Sequence, residues 1–193
     1  WRPRQLRPPL AAPSMNSFLA SSRPSHFGLY VHDLELMEDF YVKKLGFCIT
    51  DSWEFQGSRM LFLSKDPKEH HQIVLATGRQ METPSQFNQI SFEVSSLQDL
   101  HENFSAIQDI APGEVVAMNH GGSWSVYFSD PENNPIEFFA YTQTYAPPIA
   151  TIPMDMEQPF QTLMAETDAL VHQFPESESW QEWRERFSKT MAD

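Results

Sequence analysis

The stretches His26–Val31 (HFGLYV) and Gln89–Val94 (QISFEV) decide the fold. Set one above the other, 63 positions apart, they alternate in the same phase. Phe27, Leu29 and Val31 share one face with Ile90, Phe92 and Val94 as their counterparts; His26, Gly28 and Tyr30 share the other with Gln89, Ser91 and Glu93. Period two with one apolar and one polar face predicts half-buried strands. Each strand then runs into a helical pattern. Leu34, Met37, Tyr41 and Leu45 form one stripe, opened by a possible cap at Asp33; Leu97, Leu100, Phe104 and Ile107 form the other, opened by Ser96.

Three strand-like segments follow each helix: Phe47–Glu54, Arg59–Ser64 and His71–Thr77 in the first copy, Glu114–Asn119, Trp124–Ser129 and Ile136–Tyr141 in the second. Turns rich in Gly, Asp-Pro and Asn-Asn separate them. The reading is therefore an α+β fold of two βαβββ modules, residues 24–80 and 81–143, pairing into an open, curled mixed β-sheet around a metal cleft. Residues 144–193 differ. Pro147, Pro148 and Pro153 mark a linker; Phe160, Leu163, Met164, Thr167 and Val171 fit one helical face. Trp180, Trp183, Phe187 and Met191 fit another, behind a capping box at Ser179 and Glu182. These C-terminal helices are expected to pack on the modules or on a second subunit.

The remaining composition narrows the function classes. A chain of 193 residues, 40% apolar and 20% charged, suits one folded domain rather than a disordered polymer. No apolar run exceeds four residues, so no membrane-spanning segment is expected. A single cysteine, Cys48, excludes a disulfide framework and a cysteine zinc cluster. It is expected to be a buried structural thiol in a cytoplasmic protein. The net charge of −13 repels phosphate backbones, making nucleic acid and anionic membranes poor partners. The first methionine is Met15; residues 1–14 are read as a non-native leader and 15–23 as an N-terminal extension.

Chemistry is expected on the polar faces. His26 and Gln89 open the equivalent first strands, and Glu137 lies in the last strand between Ile136 and Phe138, which point the other way by parity. A carboxylate in so apolar a strand needs a cation or several donors, because burying it alone is costly. One imidazole, one amide and one carboxylate make a three-ligand metal site with open positions. Tyr30, Phe139 and Tyr141 face the same cleft and suit a flat ring. His32, His101 and His172 are given no role. Neither a phosphate-binding glycine loop nor a Gly-x-Ser-x-Gly elbow is present.

Two such modules with ligands on first and last strands resemble the vicinal oxygen chelate superfamily, which includes glyoxalase, fosfomycin- and bleomycin-resistance proteins and extradiol ring-cleaving dioxygenases. The stretch from Asn119 to Glu137 is the more specific part: His120, Tyr127, Asp130, Pro131 and Glu137 follow in the order and close spacing of the extradiol signature. It departs at Met118 and at Asn133, where Gly or Pro is usual. The pair His70-His71 resembles the strand that carries the catalytic histidine. Alternation along that strand favours His70 as the inward residue, whereas the resemblance favours His71.

The resemblance implies that His26 and Glu137 are two iron ligands, with Gln89 where a second histidine is usual. It implies His71 (or His70) as the acid/base residue and His120 and Tyr127 as hydrogen-bonding partners of the substrate's oxygens. The expected activity is Fe(II)-dependent cleavage of a catechol-like aromatic diol with O2, in a homodimer. Gln89 keeps other divalent metals (Mn, Zn, Ni) in play. It also leaves two rivals: a non-redox isomerase or lyase of the glyoxalase type, and a ligand-sequestering resistance-type protein.

Overall fold

The computed structural model describes residues 22–147 and 150–192. The leader expected over 1–14, most of the extension over 15–23 and Pro148 of the linker lie outside the described residues. The first module runs β1 (Phe27–Val31), α1 (Leu34–Glu38, continued by a π-helical stretch over Asp39–Lys44), β2 (Cys48–Phe55), β3 (Ser58–Ser64) and β4 (Ile73–Thr77). The second runs β5 (Ile90–Glu93), α2 (Leu97–Glu102), α3 (Phe104–Ile110), β6 (Val116–Asn119), β7 (Ser123–Ser129) and β8 (Pro135–Tyr141). Then come β9 (Thr144–Tyr145), β10 (Ile152–Pro153), α4 (Phe160–Val171), β11 (Glu178–Ser179) and α5 (Trp180–Ala192).

The architecture is α+β, with curled, unclosed mixed sheets and C-terminal helices. Each module builds its own sheet, in the orders β1-β4-β3-β2 and β10-β6-β7-β8-β5. In both, the first and fourth strands pair parallel and the others antiparallel. Among the described residues no ladder joins the two sheets; the modules meet through one apolar core. Leu29, Val31, Met37, Leu63 and Leu75 enter it from the first module, Ile90, Leu100, Trp124, Val126 and Ile136 from the second. Each such side chain contributes about 1.5–3 kcal/mol by leaving water.

Local chemistry fixes the ends of these elements. Asp33 accepts the Leu36 N–H and Ser96 accepts the Asp99 N–H, so both expected caps form. The second helical stripe is not continuous: it breaks at Asn103, whose backbone N–H and side-chain Nδ2 both donate to the Asp99 carbonyl. Polar contacts then lock the modules together. Glu132 accepts the backbone N–H groups of His32 and Asp33, both at 2.8 Å, and pairs with Arg79. Asp130 accepts from the backbone N–H groups of Glu132 and Asn134, from Asn134 Nδ2 and from the Tyr41 hydroxyl. Asn133 has a φ of 61°, a left-handed turn that asparagine tolerates and glycine usually fills.

Two expectations need correction. Cys48 is exposed, because β2 is the outer edge strand of its sheet and is exposed along its whole length. The strand expected over His71–Thr77 begins at Ile73, so neither His70 nor His71 is oriented by strand alternation. The linker, in turn, is partly ordered into the sheets: β10 extends the second sheet beside β6, and β9 pairs with β11. Among the described residues, no helix is long and apolar enough to cross a membrane.

Candidate functional site

Register places the centre of the site. Across the second sheet Ser91 pairs with Glu137 and Glu137 with Tyr127, so these three side chains form one row on the face opposite the core. Gln89, two residues before Ser91, joins the same face. Glu137 is only 6% exposed, and its carboxylate is fully engaged. Gln89 Nε2 donates to Oε2 at 2.7 Å, Ser91 Oγ donates to the same oxygen, and the Tyr127 hydroxyl donates to Oε1 at 2.7 Å. Three donors compensate for the desolvation that an unpaired carboxylate would suffer.

The donor chain continues outward. The Tyr127 hydroxyl directs its O–H at Glu137, so His120 Nε2, 3.1 Å away, donates to the phenol oxygen. His120 Nδ1 then accepts from Thr151 Oγ1 at 3.0 Å. This assigns the neutral Nε2–H tautomer. Burial holds the His120 imidazole below the usual histidine value, against the opposing pull of the Glu137 charge. Burial, reinforced by the hydrogen bond to Glu137, pushes the Tyr127 phenol up to about 12. Both groups are therefore neutral at pH 7: a proton-holding pair beside a carboxylate.

The other histidines gather on the first module. The rings of His26 and His71 lie 4.1 Å apart, His70 Nδ1 and His71 Nδ1 are 2.9 Å apart, and both His70 and His71 lie against Phe62. Burial and then the neighbouring imidazoles of His26 and His70 hold His71 below the usual histidine value. The structure thus brings Gln89, Glu137, Tyr127 and His120 together in one group and His26, His70 and His71 in a second. Among the described residues, no hydrogen bond or ring contact links the two groups.

The donor chemistry fits a divalent cation. A carboxylate, an amide oxygen and an imidazole are all ligands a divalent cation takes, and in this structure the Gln89 amide meets the Glu137 carboxylate through its Nε2. Among the described residues no three His, Cys, Asp or Glu side chains gather into a metal-binding group. Ser91 and Thr151 were not singled out from the sequence. Ser91 was legible as the residue that shares Gln89's face; Thr151 lies in the Pro-rich linker and carries no sequence signal.

Comparison with known proteins follows the geometry. The chain is 28% identical over 121 residues to biphenyl-2,3-diol 1,2-dioxygenase 3 of Rhodococcus globerulus, an alignment covering 60% of this chain and 61% of that one. The match therefore spans about three fifths of that relative's length. Among solved structures, the fosfomycin resistance protein FosX of Listeria monocytogenes superposes with a TM-score of 0.52 at 22% identity, over 63% of this chain and 94% of that one. A structure of the same FosX complexed with Mn(II) and sulfate ion gives 0.50 at 22% identity, over 63% and 93% of the two chains. A glyoxylase/bleomycin resistance protein/dioxygenase domain from Frankia sp. EAN1pec gives 0.52 at 19% identity, over 63% and 93% of the two chains. These likenesses concern the fold. Residues 23–138, which run from before β1 into β8 and include His26, His70, His71, Gln89, His120, Tyr127 and Glu137, match the family model itself, and the chain belongs to the Glyoxalase/Bleomycin resistance protein/Dioxygenase superfamily.

Proposed function

We propose that the chain is an extradiol-type dioxygenase that opens the ring of a catechol-like aromatic diol with O2, using Fe(II), as a homodimer in a reducing cytoplasm. The observation that carries this reading is the caged Glu137 carboxylate with the Tyr127–His120 pair beside it. The 28% identity to a diol dioxygenase supports oxygen chemistry over the other activities of the superfamily. Fe(II), when bound, would supply a Lewis-acidic centre that gathers the two diol oxygens and lowers their proton affinity. Glu137 and Gln89 would hold it, with His26 of a second copy as the imidazole ligand. That arrangement is supported by the exposed outer face of the first sheet, where Tyr30, Trp53 and Phe55 stand uncovered.

The chain's own residues then handle protons and orientation. Tyr127, protonated at every physiological pH, donates a hydrogen bond to an oxygen in the site. His120 supports the phenol from behind as a neutral imidazole, its Nε2–H held on Tyr127 and its Nδ1 on Thr151. His71, also neutral at pH 7, is the base on the other group, suited to accept a proton released by the diol. Phe139 and Tyr141 offer ring surface on the Glu137 face.

The test is anaerobic loading with Fe(II), addition of catechols, and admission of air. Oxygen uptake with a ring-opened, yellow product is the expected result. Glu137→Ala should abolish metal content and turnover together; turnover that survives this change overturns the assignment. Gln89, a weaker ligand for Fe(II) than imidazole, favours a second reading, a non-redox lyase or isomerase. Activity with Mn(II) or Ni(II) and no oxygen uptake would select it.

A further inference from the structure

We propose that the cavity between β1 and the connection joining the two modules binds an uncharged aromatic molecule with an amide edge; this goes beyond the diol reading and does not rest on it. The duplication points there. Across the second sheet, the row Ser91–Glu137–Tyr127 carries the buried carboxylate. The same row of the first sheet is Gly28–Val74–Phe62, with Gly28 standing 63 positions before Ser91. The register is repeated, but no member of this row can ionise. Its chemistry is apolar contact rather than cation binding.

Beside Gly28 lies a cavity of about 320 Å³, walled by Tyr30, Pro84 and Phe87, at the junction of the modules. No residue of the Glu137 group or the His26 group lines it. Two glycines keep it open. A Cβ on Gly28 would meet only the Val74 carbonyl oxygen, at 3.9 Å, so a side chain there has room and would rise on the Tyr30 face of the strand. A Cβ on Gly78 would already reach the Tyr30 ring at 3.4 Å. Tyr30 is 70% exposed, an aromatic wall open to a ring laid against it. Arg79 is the one charged residue of the lining, and its guanidinium is engaged: Nη1 donates to Glu132 and Asn134, Nε and Nη2 to the Thr83 carbonyl. Its side chain is only 11% exposed, so an anion finds no free partner there. The Gln80 carboxamide also lines the cavity and, among the described residues, makes no hydrogen bond, which leaves it a donor and an acceptor for a neutral amide.

The test is calorimetric titration of the metal-free full chain, in EDTA, with benzamide, benzoate and acetamide. Benzamide should bind with a Kd on the order of 1 mM. Benzoate, which brings a charge, and acetamide, which lacks the ring, should each bind at least about tenfold more weakly. Gly28→Leu fills the cavity and should weaken benzamide binding about tenfold. Tyr30→Ala, at an exposed position, keeps the test open should Gly28→Leu not fold; it should weaken binding about fivefold, whereas Tyr30→Phe keeps the ring and the affinity. Melting curves establish that each variant is folded. Absence of benzamide binding, benzoate or acetamide binding as tight as benzamide, or undiminished affinity in the folded Gly28→Leu or Tyr30→Ala chain would each overturn the site, and each would leave the diol reading standing.

Discussion

At the scale of single residues, His120 has a measurable pH signature. The fold accommodates its neutral form, since Nε2–H donates to Tyr127 and Nδ1 accepts from Thr151. Its folded-state value is depressed, so the unfolded chain binds the proton more readily than the folded one. Stability tied to this residue is complete above the unfolded value of about 6.5 and is lost as pH falls below it. Urea midpoints measured from pH 8 to pH 5 should fall on the acid side, and the slope should flatten in His120→Gln. Asp130 runs the other way. Burial raises its carboxyl above the usual range, so this group's contribution improves as pH falls through the raised value. Its larger role is geometric: it accepts four hydrogen bonds, one of them from Tyr41 in the other module. Asp130→Ala leaves those donors unpaired and should cost about 2–4 kcal/mol in urea unfolding.

At the scale of elements, α4 packs Phe160 and Leu163 on the core and adds one hydroxyl that bonds the second module. Thr167 Oγ1 accepts from Trp124 Nε1 and from Asn119 Nδ2, both at 2.8 Å, and donates to the Leu163 carbonyl. Thr167, Trp124 and Asn119 are all buried. Thr167→Val keeps the shape but strands two buried donors, so it should destabilise by about 2–4 kcal/mol, whereas Thr167→Ser should lose about 1 kcal/mol or less. A urea series on the two variants separates hydrogen bonding from packing. This contact also shows where the sequence stopped being informative. Strand alternation and caps made both modules legible, because half-buried strands must alternate and helix starts need an acceptor. Thr167 looked like one more position on a helical stripe, and nothing local says that it meets Trp124, 43 residues earlier in the chain. Cys48 misled for a related reason: an apolar context such as Gly46–Thr50 does not reveal that its strand will be an uncovered edge. The site was half legible. Glu137 stood out as a charge in an apolar strand and Tyr127 by parity, but the helper residue Thr151 sits in a linker without periodicity.

At the scale of the whole molecule, the question is how the His26 group reaches the Glu137 group. One chain places them on separate modules with no contact between them among the described residues, while leaving Tyr30, Trp53 and Phe55 exposed on the first module. If the metal site proposed above needs both groups, a second copy set in a two-fold arrangement would bring them together and cover the exposed aromatics. If each site takes His26 from one copy and Glu137 from the other, two inactive variants must complement each other. His26→Ala and Glu137→Ala homodimers should both be dead. After mixing and reassociation, half the dimers are mixed, and in each of these one site carries both substitutions and the other carries neither. Activity should therefore return to about a quarter of the wild-type value in an equimolar mixture. If the two residues serve the same site from within a single chain, every site retains one lesion and the mixture stays inactive, so an oxygen-electrode trace on the reassociated mixture separates the two assemblies.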